Sequence, residues 1–390
     1  MFIKGVNLGN WLVLEKWMNP NLFSGTTAED EYWLPRSLSP EVYEARIKTH
    51  REQYITERDF ITIKSWGLNA VRIPIPYFIF GDRAPFIGCV NELDKAFKWA
   101  ERYDIKILIE LHTVPGSQNG FDNGGISGVC KWSQQVDEVE YALTVLERLA
   151  IRYGHRDGLW GIELLNEPLL EEEWIKMDIP NRYPAVDEEM AKGSCGNSIN
   201  FIKNFYLTAY DRIKHHLHES KYIVFHDCFK MKIWKDFMRK EKYRNVVLDT
   251  HLYLMLAESE GCEQTLEGYL DIIENQYTKD ISEMMQHFPV ICGEWSIFNS
   301  LACGVDTRGG MNIFNTPREK ASKKVNDQDK TDIYRILGAA QLKAWRHGVG
   351  YFYWNYKSLI DTVNTNDWNG WDSWDLGRCI GLNWIDQAHL

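Results

Sequence analysis

Short apolar runs and longer amphipathic stretches take turns along this chain. The runs Ile3–Leu8, Ala70–Ile73, Ile105–Leu111, Leu159–Leu165, Tyr222–His226, Val246–His251, Pro289–Gly293 and Gly350–Trp354 are nearly continuous in aliphatic or aromatic residues. Parallel strands covered on both faces have that pattern; strands with one wet face alternate instead. Between the runs, Thr56–Trp66, Asn91–Tyr103, Glu138–Tyr153, Ser198–Glu219, Thr265–Phe288 and Asp332–His347 read as amphipathic helices. Gly67, Gly154 and Gly348 follow three of them, where a left-handed cap favours glycine. Eight strands alternating with helices predict an α/β chain, a single (β/α)8 TIM barrel over residues 1–390. A doubly wound open sheet is the alternative. Against it, the first strand runs into a long aromatic loop and no G-x-G-x-x-G turn follows.

Two segments interrupt the alternation. Residues 170–197 follow the fourth strand and are acidic, with Trp174 and Tyr183 among them; residues 299–326 follow the seventh and are rich in glycine and polar side chains. Loops that follow strands gather on the C-terminal face of a barrel, where active sites lie.

Composition narrows the function classes. The chain has 390 residues, a size that a barrel with insertions reaches as one unit. Sixteen Trp, 19 Tyr and 17 Phe fill cores in the first place, but flat apolar rings also suit the C–H faces of sugars. The net charge of −11 argues against nucleic acid or an anionic membrane as partner. No apolar run approaches the roughly 18 residues of a membrane span. The N-terminus lacks the basic stretch, apolar run and small-residue cleavage site of a signal peptide. A cytoplasmic enzyme is the expectation, or a secreted one if a leader has been removed. Eight cysteines are scattered with no C-x-x-C pair, which points to buried reduced thiols and away from zinc or redox motifs. His215, His216 and His218 read as a solvated helix face.

Chemistry-bearing residues gather where the runs end. The second run holds Arg72, the third leads to His112, and the fourth to Asn166 and Glu167. The sixth leads to His251 and Tyr253, the seventh to Glu294, and the eighth to Trp354. A polar residue after one strand is unremarkable; six strands ending in groups suited to proton transfer or sugar stacking are a pattern. Two of these groups are carboxyls, Glu167 and Glu294. Two carboxyls flanking one bond are the minimum equipment for glycoside hydrolysis. One must stay protonated as the acid, the other ionised. Arg72 and Tyr253 are placed to hold a carboxylate ionised, while Trp295 and Trp354 keep the site dry. Glu163 lies within the fourth strand as a candidate paired structural acid, and Glu110 ends the third beside His112, where it either supports that His or pairs with an Arg.

The segments GVNLGNWLVLEKWMNPNLF (5–23), LHTVPGSQNGFDNGG (111–125), GIELLNEP (161–168), LDTHLY (248–253), CGEWS (292–296) and YFYWNYK (351–357) resemble glycoside hydrolase family 5 from end to end. More narrowly they are similar to its exo-β-1,3-glucanase and β-glucosidase branch. The resemblance implies a retaining, exo-acting enzyme that releases glucose from β-glucosides or β-1,3-gluco-oligosaccharides, without metal or cofactor. It implies Glu167 as acid/base, Glu294 as nucleophile and Asn166 on the sugar 2-OH. Arg72, His112, His251 and Tyr253 would position the carboxyls and the sugar, with Trp354 as the floor. Glu15, Asp122 and Asn123 would hold the glucose hydroxyls and close the pocket, and Phe121 would line the leaving-group side. Three departures fall on that side: Leu256 where an aromatic clamp is usual, Trp17 where a Tyr is usual, and the 170–197 insertion. Endo-glucanase or mannanase, diglycosidase and transglycosylase activities are the neighbouring readings. A non-catalytic sugar-binding barrel is the reading from another class, and the presence of both carboxyls argues against it.

Overall fold

The computed structural model describes residues 1–239, 241–303, 325–362 and 369–390. Eight parallel strands close into a barrel in sequence order. They are β1 (Ile3–Asn7), β2 (Ala70–Ile75), β3 (Lys106–Leu111), β4 (Leu159–Glu163), β5 (Tyr222–His226), β6 (Val246–His251), β7 (Val290–Trp295) and β8 (Gly350–Tyr353). Each expected run carries one strand. The fourth ends two residues early, at Glu163 rather than Leu165.

Period-two alternation explains the barrel's interior. Ile3, Ala70, Leu108, Trp160, Val224, Val247, Ile291 and Phe352, one from each strand, form an apolar plug. Two residues further along β2, β3, β5 and β6, the next inward side chains are Arg72, Glu110, His226 and Asp249, all fully buried. A charged layer therefore sits directly on an apolar one. At β7 three residues span a register shift between Cys292 and Trp295 against two on β8. This irregularity turns Glu294 inward after Gly293 and leaves Trp295 facing outward.

The outer helices follow the expected stretches with changes at their ends. Thr56 and Asp59 form a capping box at the start of Glu57–Ser65. The stretch 265–288 is broken by a π-helical turn, Ile272–Tyr277, between Leu266–Asp271 and Thr278–Met284. Pro40–Tyr54 is a helix that the apolar pattern does not reveal, because its buried face is Tyr43, Ile47, His50, Arg51 and Tyr54. Of the three expected left-handed caps only Gly67 has positive φ, at 82°. Gly154 and Gly348 are needed for space: a Cβ would stand 2.0 Å from the His216 carbonyl oxygen and 2.4 Å from that of Val290.

The 170–197 insertion is anchored at both ends by the Leu170–Asn197 bridge and carries the short helices Glu171–Lys176, Ile179–Arg182 and Glu188–Ala191. Trp174 packs with Cys130, Leu169 and Ile179. Most of the 299–326 segment lies outside the described residues. All eight cysteines are free thiols, seven of them buried. No helix among the described residues is long and apolar enough to cross a membrane.

Candidate active site

Arg72 is the hub of the charged layer. Its Nε and Nη2 donate to the two oxygens of Glu163 at 2.8 and 3.2 Å. Nη1 donates to Asn7 Oδ1 at 3.0 Å and Glu294 Oε1 at 2.7 Å, and Nη2 also reaches Asn166 Oδ1 at 3.0 Å. All five donors are used, and a fully buried guanidinium needs this. Glu163 is thus a structural acid. Glu110 serves two groups, His112 Nδ1 at 2.8 Å and Arg72 at 3.6 Å.

The other oxygen of Glu294, Oε2, accepts from the Tyr253 hydroxyl at 2.7 Å. Glu167 Oε1 is 2.7 Å from His251 Nδ1, and Oε2 accepts from Asn123 Nδ2 at 3.1 Å. Glu167 has φ of 43°, a left-handed backbone that costs a non-glycine residue about 1–2 kcal/mol. Gln118 supports the turn, its amide donating to the carbonyls of His112 (2.8 Å) and Asn166 (2.9 Å). His251 Nδ1 also lies 3.6 Å from Glu294 Oε2. The nearest oxygens of Glu167 and Glu294 can be no further apart than those two His251 distances together, about 6.3 Å. Inverting glycosidases separate their carboxyls by about 6.5–9.5 Å and retaining ones by about 5–5.5 Å.

Electrostatics refine the expected assignment. Burial pushes Glu167 up, but the hydrogen bond and charge of His251 and the Asn123 amide outweigh it and hold the carboxyl below its usual value. Burial lifts Glu294 above its usual value against the pull of His251 and Arg72. Burial opposes charge on His251, yet Glu294, Asp249 and Glu167 hold the imidazolium well above the histidine range. One acid proton is shared across the 2.7 Å hydrogen bond between His251 Nδ1 and Glu167 Oε1. These three groups titrate together, and His251-H⁺ with Glu167⁻ holds the same proton as His251 with protonated Glu167.

A small cavity of about 100 Å³ opens above the carboxyls. Glu15, Phe121, Asp122, Asn123, Tyr253 and Trp354 line it, as expected. Burial raises Glu15 well above its usual range and Asp122 to about 6. Trp17 donates to Glu15 at 2.8 Å and stacks on Trp371 at 5.3 Å. The Trp354 ring lies nearly parallel to His112, 5.9 Å away, and Gly9 passes beneath it where a Cβ would be 2.7 Å from the indole. Asn166 Nδ2 and His112 Nε2 are buried without protein partners, as groups that meet a substrate are. Gly293 is fixed by Asp249: its N–H donates to Oδ1 at 2.6 Å, and a Cβ would fall 1.9 Å from Oδ2.

One expected residue does not reach the cavity. Trp295 is fully buried on the outer face of β7 against Trp345, Tyr351 and Tyr353, because the strand alternation that turns Glu294 inward turns its neighbour out. Met177 and Arg182 from the insertion and Phe229 after β5 reach the cavity without having been foreseen, and Tyr183 of the insertion and Trp374 near the C-terminus line it too. Asp227, just after β5, was open to the same strand-end rule that found the others.

Two groups bring three potential metal ligands within 4.8 Å: Glu167, His226 and His251, and Glu163, Asp249 and His251. The second faces the Arg72 guanidinium, 2.8 Å from Glu163 and 4.0 Å from Asp249, so the positive charge there is already supplied. The first engages His251 in its bond to Glu167.

The family model described as Cellulase (glycosyl hydrolase family 5) matches residues 39–358. The chain is 32% identical over 372 residues to glucan 1,3-beta-glucosidase 1 of Schizosaccharomyces pombe, covering 91% of this chain and 83% of the relative. It is 31% identical over 380 residues to the glucan 1,3-beta-glucosidase of Blumeria graminis, covering 91% and 82%. Among solved structures, a rutinosidase from Aspergillus niger shares the fold with a TM-score of 0.73 at 22% identity, over 98% of this chain and 97% of that one. With a family model spanning most of the barrel and relatives above 30% identity along nearly its whole length, the chain belongs to glycosyl hydrolase family 5.

Proposed function

We propose that the protein is a retaining, exo-acting β-glucosidase that releases glucose from β-glucosides or short β-1,3-gluco-oligosaccharides. The observation that carries this reading is the pair of carboxyls sharing His251, with their nearest oxygens within about 6.3 Å. Curated relatives named glucan 1,3-beta-glucosidases support the choice of bond.

Glu294 attacks C1 of the glucose while Arg72 and Tyr253 hold its charge. The C1–O bond to the leaving group breaks, a C1–Oε ester forms, and the proton of the Glu167–His251 pair passes through Glu167 to the departing oxygen. Exclusion of water by the bound sugar favours the neutral form of that pair, which moves the proton from Nδ1 to Oε1. Glu167 then takes a proton from water, whose oxygen attacks C1 and frees Glu294 with the β-configuration restored. Asn166 Nδ2 donates to the 2-OH, a bond that strengthens in the transition state. Trp354 is the floor under the ring, and Glu15, Asp122 and Asn123 meet its outer hydroxyls. That enclosure selects exo attack on a single sugar over an endo-glucanase or diglycosidase mode.

Proton NMR of early products from laminaribiose tests the reading. β-Glucose formed ahead of mutarotation is the expected result. α-Glucose would mean inversion and remove Glu294 as nucleophile.

A further inference from the structure

A second cavity, of about 420 Å³, adjoins the first and includes His251 and Tyr253, the partners of the two carboxyls. Met177, Phe229 and Leu256 belong to its wall and to the wall of the glucose pocket. Its rim is tied together. Lys176 of the insertion bonds Glu260 at 2.6 Å, beyond the helix Leu254–Ser259, and Lys230 after β5 bonds Glu173 of the insertion at 3.1 Å. The insertion is thereby joined to both neighbouring loops.

The polar groups of the chamber largely satisfy one another. Thr250 Oγ1 and the Phe229 N–H donate to the two oxygens of Asp227 at 2.7 and 2.8 Å. Ser259 donates to the Leu256 carbonyl at 2.7 Å, and Asp280 pairs with Lys232 at 2.7 Å. The rest of the wall is largely apolar, with Met177, Met231, Leu252, Leu256 and Phe229 beside the polar Asp178, Arg182 and Gln276. Thioethers and leucines adapt to apolar groups, and the Phe229 ring offers an aryl group a flat face. The π-helical turn Ile272–Tyr277 adds the Tyr277 ring to this wall, its hydroxyl spent on the Tyr253 carbonyl at 3.3 Å.

We propose that the chamber receives the leaving group and selects a compact apolar aglycone, an aryl or arylalkyl alcohol, over a second sugar. The inference rests on the β-glucosidase reading of the neighbouring pocket.

The test compares kcat/KM for benzyl β-glucoside, methyl β-glucoside and laminaribiose. All three release an unactivated alcohol, so departure chemistry does not favour benzyl. The expected result is a benzyl preference of about tenfold or more over each of the others, the scale on which apolar pockets discriminate. Met231→Gln and Leu256→Gln should each shrink the benzyl-to-methyl ratio, which is independent of the fraction of enzyme folded. Laminaribiose equal to or better than benzyl β-glucoside overturns the inference, as does a ratio indifferent to both substitutions. In either case turnover of methyl β-glucoside leaves the glucosidase reading standing; no turnover of any of the three defeats that reading itself.

Discussion

Tyr253→Phe isolates one contact of the nucleophile. The hydroxyl donates to Glu294 Oε2 at 2.7 Å, whereas the ring's packing on Trp374 at 5.4 Å and the backbone bond from Tyr277 survive its removal. Burial and the Glu294 charge keep the phenol well above its ordinary pKa, so it acts only as a donor. A hydrogen bond to a charged group contributes about 1.5–3 kcal/mol. One pKa unit is about 1.4 kcal/mol, so losing the bond raises Glu294 by about one to two units. His251 Nδ1, 3.6 Å from the same oxygen, is too far to take over. Attack needs ionised Glu294. The acidic limb of kcat/KM therefore moves to higher pH by about one to two units, and the rate on that limb falls by about 10–100-fold. The assay is kcat/KM on an aryl β-glucoside across the acidic and neutral range. An acidic limb that stays where it is in the wild type would refute the assignment of Glu294 as the group titrating there.

Glu167→Gln should cost about 10²–10⁴-fold on laminaribiose, whose leaving group needs a proton, and much less in the glycosylation step of a dinitrophenyl β-glucoside, which does not; equal losses in pre-steady-state bursts would contradict an acid role. Arg72→Met leaves the buried Glu163, Glu110, Asp249 and Glu294 without their shared cation, and should cost about 3–5 kcal/mol, read as a lower urea midpoint. Burial raises Glu31 to about 8, with the Arg51 charge opposing it, so the folded chain binds a proton that the unfolded chain has released by mid-acid pH. Stability from this group is therefore lost as pH rises from the ordinary carboxyl range towards about 8, by at most about 5 kcal/mol. Glu31→Gln should flatten that fall in the urea midpoint, and an unchanged slope would count against the burial argument.

The barrel was legible because each strand is an apolar run covered on both sides, a signal that survives without neighbours. Glu167, His251, Tyr253 and Glu294 were legible because they end such runs, and Arg72 because it is a charged residue inside one. The helix Pro40–Tyr54 was hidden because it buries polar and aromatic residues, including His50 and Arg51, that no hydropathy pattern marks as core. Trp295 was misplaced for a related reason. The sequence G-E-W lets either Glu294 or Trp295 face inward, and a register shift between β7 and β8 decides it. The chamber walls from Met177 and Arg182 depend on where an insertion docks, and that from Phe229 on the course of the loop after β5, neither of which local pattern encodes.

The charged layer also sets a proton that the reaction does not consume. Around one guanidinium stand Glu110, Glu163, Asp249 and Glu294, an excess of negative charge that a dry interior cannot hold fully ionised. Burial raises Glu110 well above its usual range against the Arg72 charge, and lifts Glu163 to about 7. A protonated Glu110 is a donor, and its partner at 2.8 Å is His112 Nδ1. Burial pushes His112 down to about 4, so this ring is neutral and carries one proton. With Glu110 protonated, Nδ1 accepts and the ring proton lies on Nε2, the atom without a protein partner, so that His112 presents a donor beside the Trp354 floor; with Glu110 ionised, Nδ1 donates and Nε2 is an acceptor. Glu110→Gln keeps a donor to Nδ1 and should preserve glucose binding. Glu110→Ala frees the ring to take either tautomer and should raise KM for methyl β-glucoside more than it lowers kcat. Equal effects from the two substitutions would show that Glu110 acts through charge and not through the tautomer it imposes.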